Sequence, residues 1–442
     1  MSKNTRDSIF FAFIFIFVGL TILVSLYATG YKFNLSWPLR LNSILVKTGM
    51  LNVDTTPAGA LVYLNGRAQN AASLNILAPS AALTPAKIKN ILPGDYTLRL
   101  ERSGYWPFQE KITINPGQTT FAEDINLFRS DLPTFMATST AHILLLSPSQ
   151  KYLYLQSERK IINLATEETR VLPSAATSGV WLNNSDRLSA NGVLYDPTDA
   201  SHDLDYSKII GSGITATYYD EASGRLYFQN ASSLSRLSAD GKTATLLLSG
   251  QWLAFEPRGE NLYVVIKDKE QTLLRDYDLK SGQSVGQIIL PSAAQYRFVD
   301  DHRPRLSLYD EKNQTLYLID PANIANNPET INHIIAWTWS NDRQLFYYNN
   351  WEVYFFDLDK NSASLITRVG YQISGLLLNP TRDYLALATV HSLSVIDLKA
   401  DLSTTVFAAE KINGLALDAK NNILYFVADI GHNAGVYELN LQ

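Results

Sequence analysis

Residues 376–397 read LLLNPTRDYLALATVHSLSVID. An apolar run ends at Asn379, a polar turn follows, and Leu385, six residues on, restarts an apolar strand. A further strand closes on the pair Ile396-Asp397. Short apolar runs bounded by Asn, Pro and Asp are the mark of buried strands joined by tight turns. The same frame recurs outward in both directions. Its polar anchors are Ser147, Asn183, Asp220, Glu256, Asp300, Ser340, Asn379 and Asp418, spaced about 39 residues apart, close to one four-stranded propeller blade. An apolar residue stands six positions after most anchors: Leu153, Leu226, Leu262, Leu306, Phe346, Leu385 and Leu424. The second unit departs by one, with Leu188. Tyr195-Asp196, Tyr277-Asp278, Ile319-Asp320 and Phe356-Asp357 repeat the closing pair. Such units read as inner, middle and outer strands of a β-propeller of seven or eight blades over residues 132–442. The last unit offers three strands, Gly414–Leu417, Ile423–Ala428 and Val436–Leu441. Its fourth is expected from around Thr134–Thr138, which would close the ring.

The 442-residue chain carries a net charge of −5 and contains no cysteine. Disulfides, thiolate metal sites and a cysteine nucleophile are thereby excluded. The charge balance gives no basic footprint for nucleic acid. Residues 9–28, IFFAFIFIFVGLTILVSLYA, hold no charge and are long enough to span a bilayer as one helix. A cleaved signal peptide would have a shorter apolar core and a small residue where Tyr27 stands. We therefore expect an uncleaved anchor, with Tyr27, Tyr31 and Trp37 at the interface. Lys3 and Arg6 before the helix nearly balance Lys32, Arg40 and Lys47 after it. The short tail 1–8 is expected in the cytoplasm and the bulk of the chain outside the cell membrane, beyond a linker over 29–48.

Between the linker and the repeats, residues 49–128 show alternating strands broken by Gly and Pro turns, the pattern of a small β-sandwich. Five motifs stand in order: Pro57-Ala58-Gly59-Ala60, Val62-Tyr63-Leu64-Asn65-Gly66, Thr84-Pro85, Leu92-Pro93-Gly94-Asp95-Tyr96 and Gly104-Tyr105. Together they resemble the PEGA domain, with Ala58 where that family has Glu and a longer, alanine-rich connection from Ala68 to Ala82. The resemblance implies an extracytoplasmic module of bacterial surface proteins and brings no catalytic residues with it. The repeats are similar in general form to WD40-like and lactonase-like folds, without their signature motifs.

Several patterns invite chemistry. Gly282-Gln283-Ser284-Val285-Gly286 fits the serine hydrolase elbow, which needs a strand-to-helix turn; here it falls between two strands and reads as a turn. Asp357, Asp359 and Asn361 mimic the start of a calcium loop, but Ser362 and Arg368 occupy its Gly and Glu positions. Asp300, Asp301 and His302 form an acid–His cluster at a repeat anchor, read as a hydrogen-bonded turn. Trp337, Trp339, Tyr347, Tyr348, Trp351 and Tyr354 are the densest aromatic group. Aromatics in propellers mostly pack between blades; Trp337, Trp339, Tyr348 and Trp351 are the residues that, exposed at a rim, would contact a sugar or peptide. The expectation is a mainly β, membrane-anchored binding or scaffolding protein, not an enzyme, with no cofactor or metal. Its partners would be the bilayer through residues 9–28 and a protein, glycan or cell-wall polymer. The alternative is a propeller lactonase, lyase or glycosidase with its site at the central channel.

Overall fold

The computed structural model describes residues 3–33, 45–70, 80–174, 176, 178–211, 213–238, 240–250, 252–292, 295–299, 303–431 and 433–442. Asp300, Asp301, His302, His432, Trp37 and Arg40 lie outside them.

One helix runs from Lys3 to Ala28, and its stretch Ser8–Ala28 is long and apolar enough to cross a membrane. Its apolar side chains, Leu26 apart, are exposed along the stretch. Thr21 returns its hydroxyl to the Phe17 carbonyl at 2.8 Å, which satisfies a polar group that lipid cannot. The segment expected as a linker contains a strand pair: Tyr31–Phe33 lies antiparallel to Leu45–Lys47.

The next strands form two sheets. Gly49–Thr56 lies between Ala86–Ile91 and Thr119–Asn126, pairing parallel with the latter. Leu61–Leu64 and Gly94–Glu101 are central in the other sheet, flanked by Arg67–Ala68 and Phe108–Ile114. Leu51 and Val53 from the first sheet meet Val62, Leu64, Leu98, Leu100 and Ile112 from the second in one core. Strand alternation puts these residues on the inner face. The Asn65-Gly66 turn takes positive φ at both residues, as a two-residue hairpin requires.

The repeats fold into eight four-stranded sheets among the described residues, which resolves the seven-or-eight expectation in favour of eight. Blade 1 covers residues 144–171, blade 2 180–205, blade 3 214–249, blade 4 252–290, blade 5 296–332, blade 6 336–368 and blade 7 373–408. Blade 8 is built from Lys411–Asp418, Ile423–Ile430 and Asn433–Asn440, with Thr134–Thr138 as its outermost strand. The first strand of the ring thus completes the last blade. The innermost strand of blade 8 lies beside those of blades 7 and 1, so the circle is closed. Gly414 marks that junction. A Cβ there would stand 3.0 Å from the His142 carbonyl and 3.1 Å from Leu144 Cγ.

The repeat frame has a physical cause. Second strands are buried on both faces, as in Tyr384–Thr389 and Leu306–Asp310, because blades flank them on either side. Each fully buried Leu in them contributes about 1.5–3 kcal/mol. The anchors Asp220, Asn379 and Asp418 cap the turn after the innermost strand, whereas Glu256 and Ser340 lie within the innermost strands of their blades. Asp418 Oδ1 accepts the N–H groups of Lys420 and Asn421 at 3.0 and 2.9 Å, and Asn379 Oδ1 that of Thr381 at 3.1 Å. The Asp of each closing pair caps the turn after the third strand in the same way. Asp278 Oδ1 accepts from Lys280 and Ser281, and Asp357 Oδ1 from Asp359 and Lys360. Among the fourth strands, which the three-member reading of each unit left out, Ser362–Arg368 opens on four exposed residues and Ala244–Ser249 on three.

Candidate functional site

The turn caps settle where two of the chemical-looking motifs sit. Gly282 lies in the turn that Asp278 closes, and Ser284 starts the outermost strand of blade 4, followed by no helix. Asp357 directs a carboxylate oxygen at its own turn. Among the described residues no cluster of acidic and His side chains is grouped to hold a metal ion.

The four candidate aromatics are not brought together. Trp337 packs between blades 5 and 6, its ring 5.5 Å from that of Tyr309. Trp339 joins the same core with the Arg303 guanidinium 5.8 Å from its ring. Tyr348 is buried, and burial, with Tyr309 beside it, pushes its phenol up to about 12. Trp351 is 49% exposed in the turn between the second and third strands of blade 6. Alternation along Ala336–Asn341 sends both of its tryptophans to the face that packs between blades.

The concave site lies elsewhere. A cavity of about 1220 Å³ opens along the innermost strands of blades 2 to 5. Three features of the chain make it. The innermost strand of blade 2, Val180–Trp181, has two residues, against seven in Ile214–Asp220 of blade 3 and Trp252–Arg258 of blade 4. Each innermost strand ends its sheet, so no strand pairs with its inner edge. The long strands of blades 3 and 4 each carry a bulge, between Ile214 and Ala216 and between Trp252 and Ala254. A bulge inserts one unpaired residue and re-aims its side chain. The extra residues are Thr215 and Leu253, both exposed on the cavity wall.

The charges on the wall are Asp220, Glu221, Glu256 and Arg297, and each is held by the protein. Asp220 accepts the Ala222 N–H at 3.1 Å, and Glu221 accepts the N–H groups of Asn183 and Asn184 at 2.8 and 3.0 Å. Glu256 is buried against Arg258 Nη2 at 2.7 Å, and Arg297 pairs with Glu311 at 2.5 Å. Burial raises the Tyr219 phenol, helped by Tyr206 and Glu221, and burial raises Tyr296 further, helped by Tyr317 and Asp310. What faces the cavity is hydroxyl, amide, a backbone edge with no strand across from it and apolar surface, including Val180, which is 63% exposed. Sequence reasoning named no residue of this wall as a site residue, because the wall is assembled across four successive blades rather than within one motif. The bulges that expose Thr215 and Leu253 leave no mark on the residue pattern.

Comparison with known proteins bears on the small sandwich. Residues 48–126 match the PEGA domain. This chain carries a PEGA domain. Within it the motif residues gather round Thr84. Its hydroxyl oxygen accepts the N–H groups of Gly59 and Ala60 at 3.1 and 3.0 Å, and it lies 2.5 Å from the Thr55 hydroxyl. Thr55 donates in turn to the Pro57 carbonyl at 2.9 Å. The Thr-Pro and Pro-Ala-Gly-Ala motifs of the PEGA domain are thus two halves of one buried polar node, while Ala58 is exposed and free to vary. No curated protein matches the chain. Among solved structures, one from the mitotic checkpoint complex aligns at 12% identity over 68% of this chain and 87% of its own, with a TM-score of 0.37. Kluyveromyces lactis Hsv2 aligns at 14% identity over 49% of this chain and 71% of its own, with a TM-score of 0.33. The propeller assignment rests on the eight sheets and the closed ring described above.

Proposed function

We propose that this chain is a membrane-anchored, non-enzymatic binding protein whose propeller presents its central cavity outside the cell. The helix Lys3–Ala28 would hold it in the bilayer with the N-terminus in the cytoplasm. The PEGA domain, an extracytoplasmic type of module, supports the outside placement. The observation that carries the binding reading is the cavity itself: a large concavity whose charged groups are all turned onto protein partners. Carboxylates engaged in this way are poorly placed as acid–base pairs, whereas hydroxyls, amides and apolar surface suit recognition. Of the four aromatics singled out by sequence, Trp351 alone offers a face to a partner at the rim.

The absence of cysteine makes the test clean. Single-cysteine variants Leu253→Cys and Asn4→Cys are labelled on intact cells with a small membrane-impermeant maleimide. Leu253→Cys is expected to react on intact cells, and Asn4→Cys only after permeabilisation. A Leu253→Cys chain that reacts only in permeabilised cells would refute the outside placement of the cavity.

A further inference from the structure

We infer that the cavity takes an extended polypeptide segment that bears aliphatic side chains and no acidic ones; this rests on the cavity being the binding site. Size comes first. At about 1220 Å³ the cavity exceeds the roughly 300–1,000 Å³ of pockets that enclose one small molecule. An occupant that fills it has the dimensions of a chain. Charge comes second. Glu256 and Arg297 already have ionic partners, while Asp220 and Glu221 are held by neutral N–H groups and keep their negative charge, so an acidic group brought in would lose its hydration beside like charges with no free cation to meet it.

The distribution of apolar surface then separates a peptide from a glycan. Sugars stack on flat aromatic faces. On this wall Trp181 and Phe255 are buried, and Tyr218, Tyr219, Trp252 and Phe298 are half-buried. The apolar side chains that stand exposed are aliphatic, Val180 and Leu253. Beside them run the inner edges of Ile214–Asp220 and Trp252–Arg258, backbone rows with no strand across from them. An exposed strand edge flanked by apolar spots matches an extended peptide in both respects: its amides meet the edge and its alternate side chains meet the spots.

The test uses the full chain in lipid nanodiscs and fluorescence anisotropy. The probes are a fluorescein-labelled peptide of alternating Thr and Val, a length-matched peptide of alternating Asp and Val, and labelled maltohexaose and chitohexaose. The variants are Leu253→Glu and Val180→Glu, with Leu365→Glu on the exposed outermost strand of blade 6 as control. The Thr–Val peptide is expected to bind, to bind roughly tenfold more weakly to each cavity variant, and to bind the control as it binds the parent. Should Leu253→Glu melt early, Leu253→Ser replaces it. Binding of an oligosaccharide that Leu253→Glu abolishes would overturn the polypeptide inference and leave the cavity as a binding site. Equal affinity for the Asp–Val peptide, or unchanged affinity in the cavity variants, overturns it as well. Failure of every probe to bind overturns the inference, and labelling of Leu253→Cys on intact cells then reports separately on the outside placement.

Discussion

The Glu221 carboxylate, just past the innermost strand of blade 3, accepts the backbone N–H of Asn183 in blade 2 at 2.8 Å. It also accepts the N–H of Asn184 at 3.0 Å. Comparable ties follow round the ring at the same turns. Ser149 donates to Asp186, the Arg258 guanidinium to the Arg303 carbonyl, Arg303 in turn to Asp342, and Asn379 to Asn422. Each joins one blade to the next, so this end of the propeller is laced from turn to turn. Blade 2 depends most on its tie, because its own innermost strand has two residues.

Glu221→Ala is therefore expected to loosen blade 2 before the rest of the ring. The loss should be about 1 kcal/mol, the net worth of a part-exposed hydrogen-bonded carboxylate. Hydrogen exchange checks it: amides over residues 180–195 should lose protection while those of blade 7 keep theirs. A uniform change across all blades would show that the tie has no local role.

The closure of the ring makes a second prediction. Thr138 pairs with Gly435, and a Cβ on Gly435 would come within 2.5 Å of Phe135 Cε2 and 2.8 Å of the Ala137 carbonyl. The closing strand occupies the space a side chain would need, and the Phe135 ring sits edge-on to Tyr437 at 5.5 Å. Gly435→Ala should lower propeller stability by about 1–3 kcal/mol through overpacking. Gly370→Ala, with open space at its Cβ, should melt as the parent does. Adding Phe135→Ala to Gly435→Ala should recover part of the loss, the Ala137 carbonyl remaining. A Gly435→Ala chain that melts with the parent would contradict the tight closure.

How much of this was legible in the sequence follows from which forces leave a local trace. Turn capping does: Asp278, Asp357, Asn379 and Asp418 mark turns because a short polar side chain there accepts neighbouring N–H groups. Double-sided burial also does, and it makes Leu385 and Leu424 recur in frame. The closing strand Thr134–Thr138 was legible as the member missing from an otherwise complete last blade. The fourth strands were not, since exposed residues such as Ser362 and Ser364 carry no apolar period. The pair Tyr31–Phe33 with Leu45–Lys47 is too short to show any period at all. The site was least legible. Aromatic density drew attention to Trp337 and Trp339, but density of that kind marks packing between blades. The cavity depends on bulges at Thr215 and Leu253 and on the shortness of one strand, which are properties of pairing rather than of composition.

Trp351 gives the third prediction, through the turn that presents it. Glu352 next to it accepts hydrogen bonds from Asn349 Nδ2 at 2.9 Å, Arg368 Nε at 2.9 Å and the Tyr354 hydroxyl at 2.7 Å. Asn349, then Arg368 and Tyr354, hold its carboxyl down to about 2, from an ordinary 4.5. A carboxylate whose pKa is lower in the folded chain adds stability that is fully present above its unfolded value and is lost as pH falls through the folded one. The window here runs from about 4.5 down to about 2. The difference in melting temperature between the parent and Glu352→Gln should thus be constant above the window and shrink steadily within it. Other carboxylates titrate over the same range in both chains and cancel in the difference. A difference that stays constant down to the lower end of the window would mean that Glu352 does not hold this turn as an ionised group.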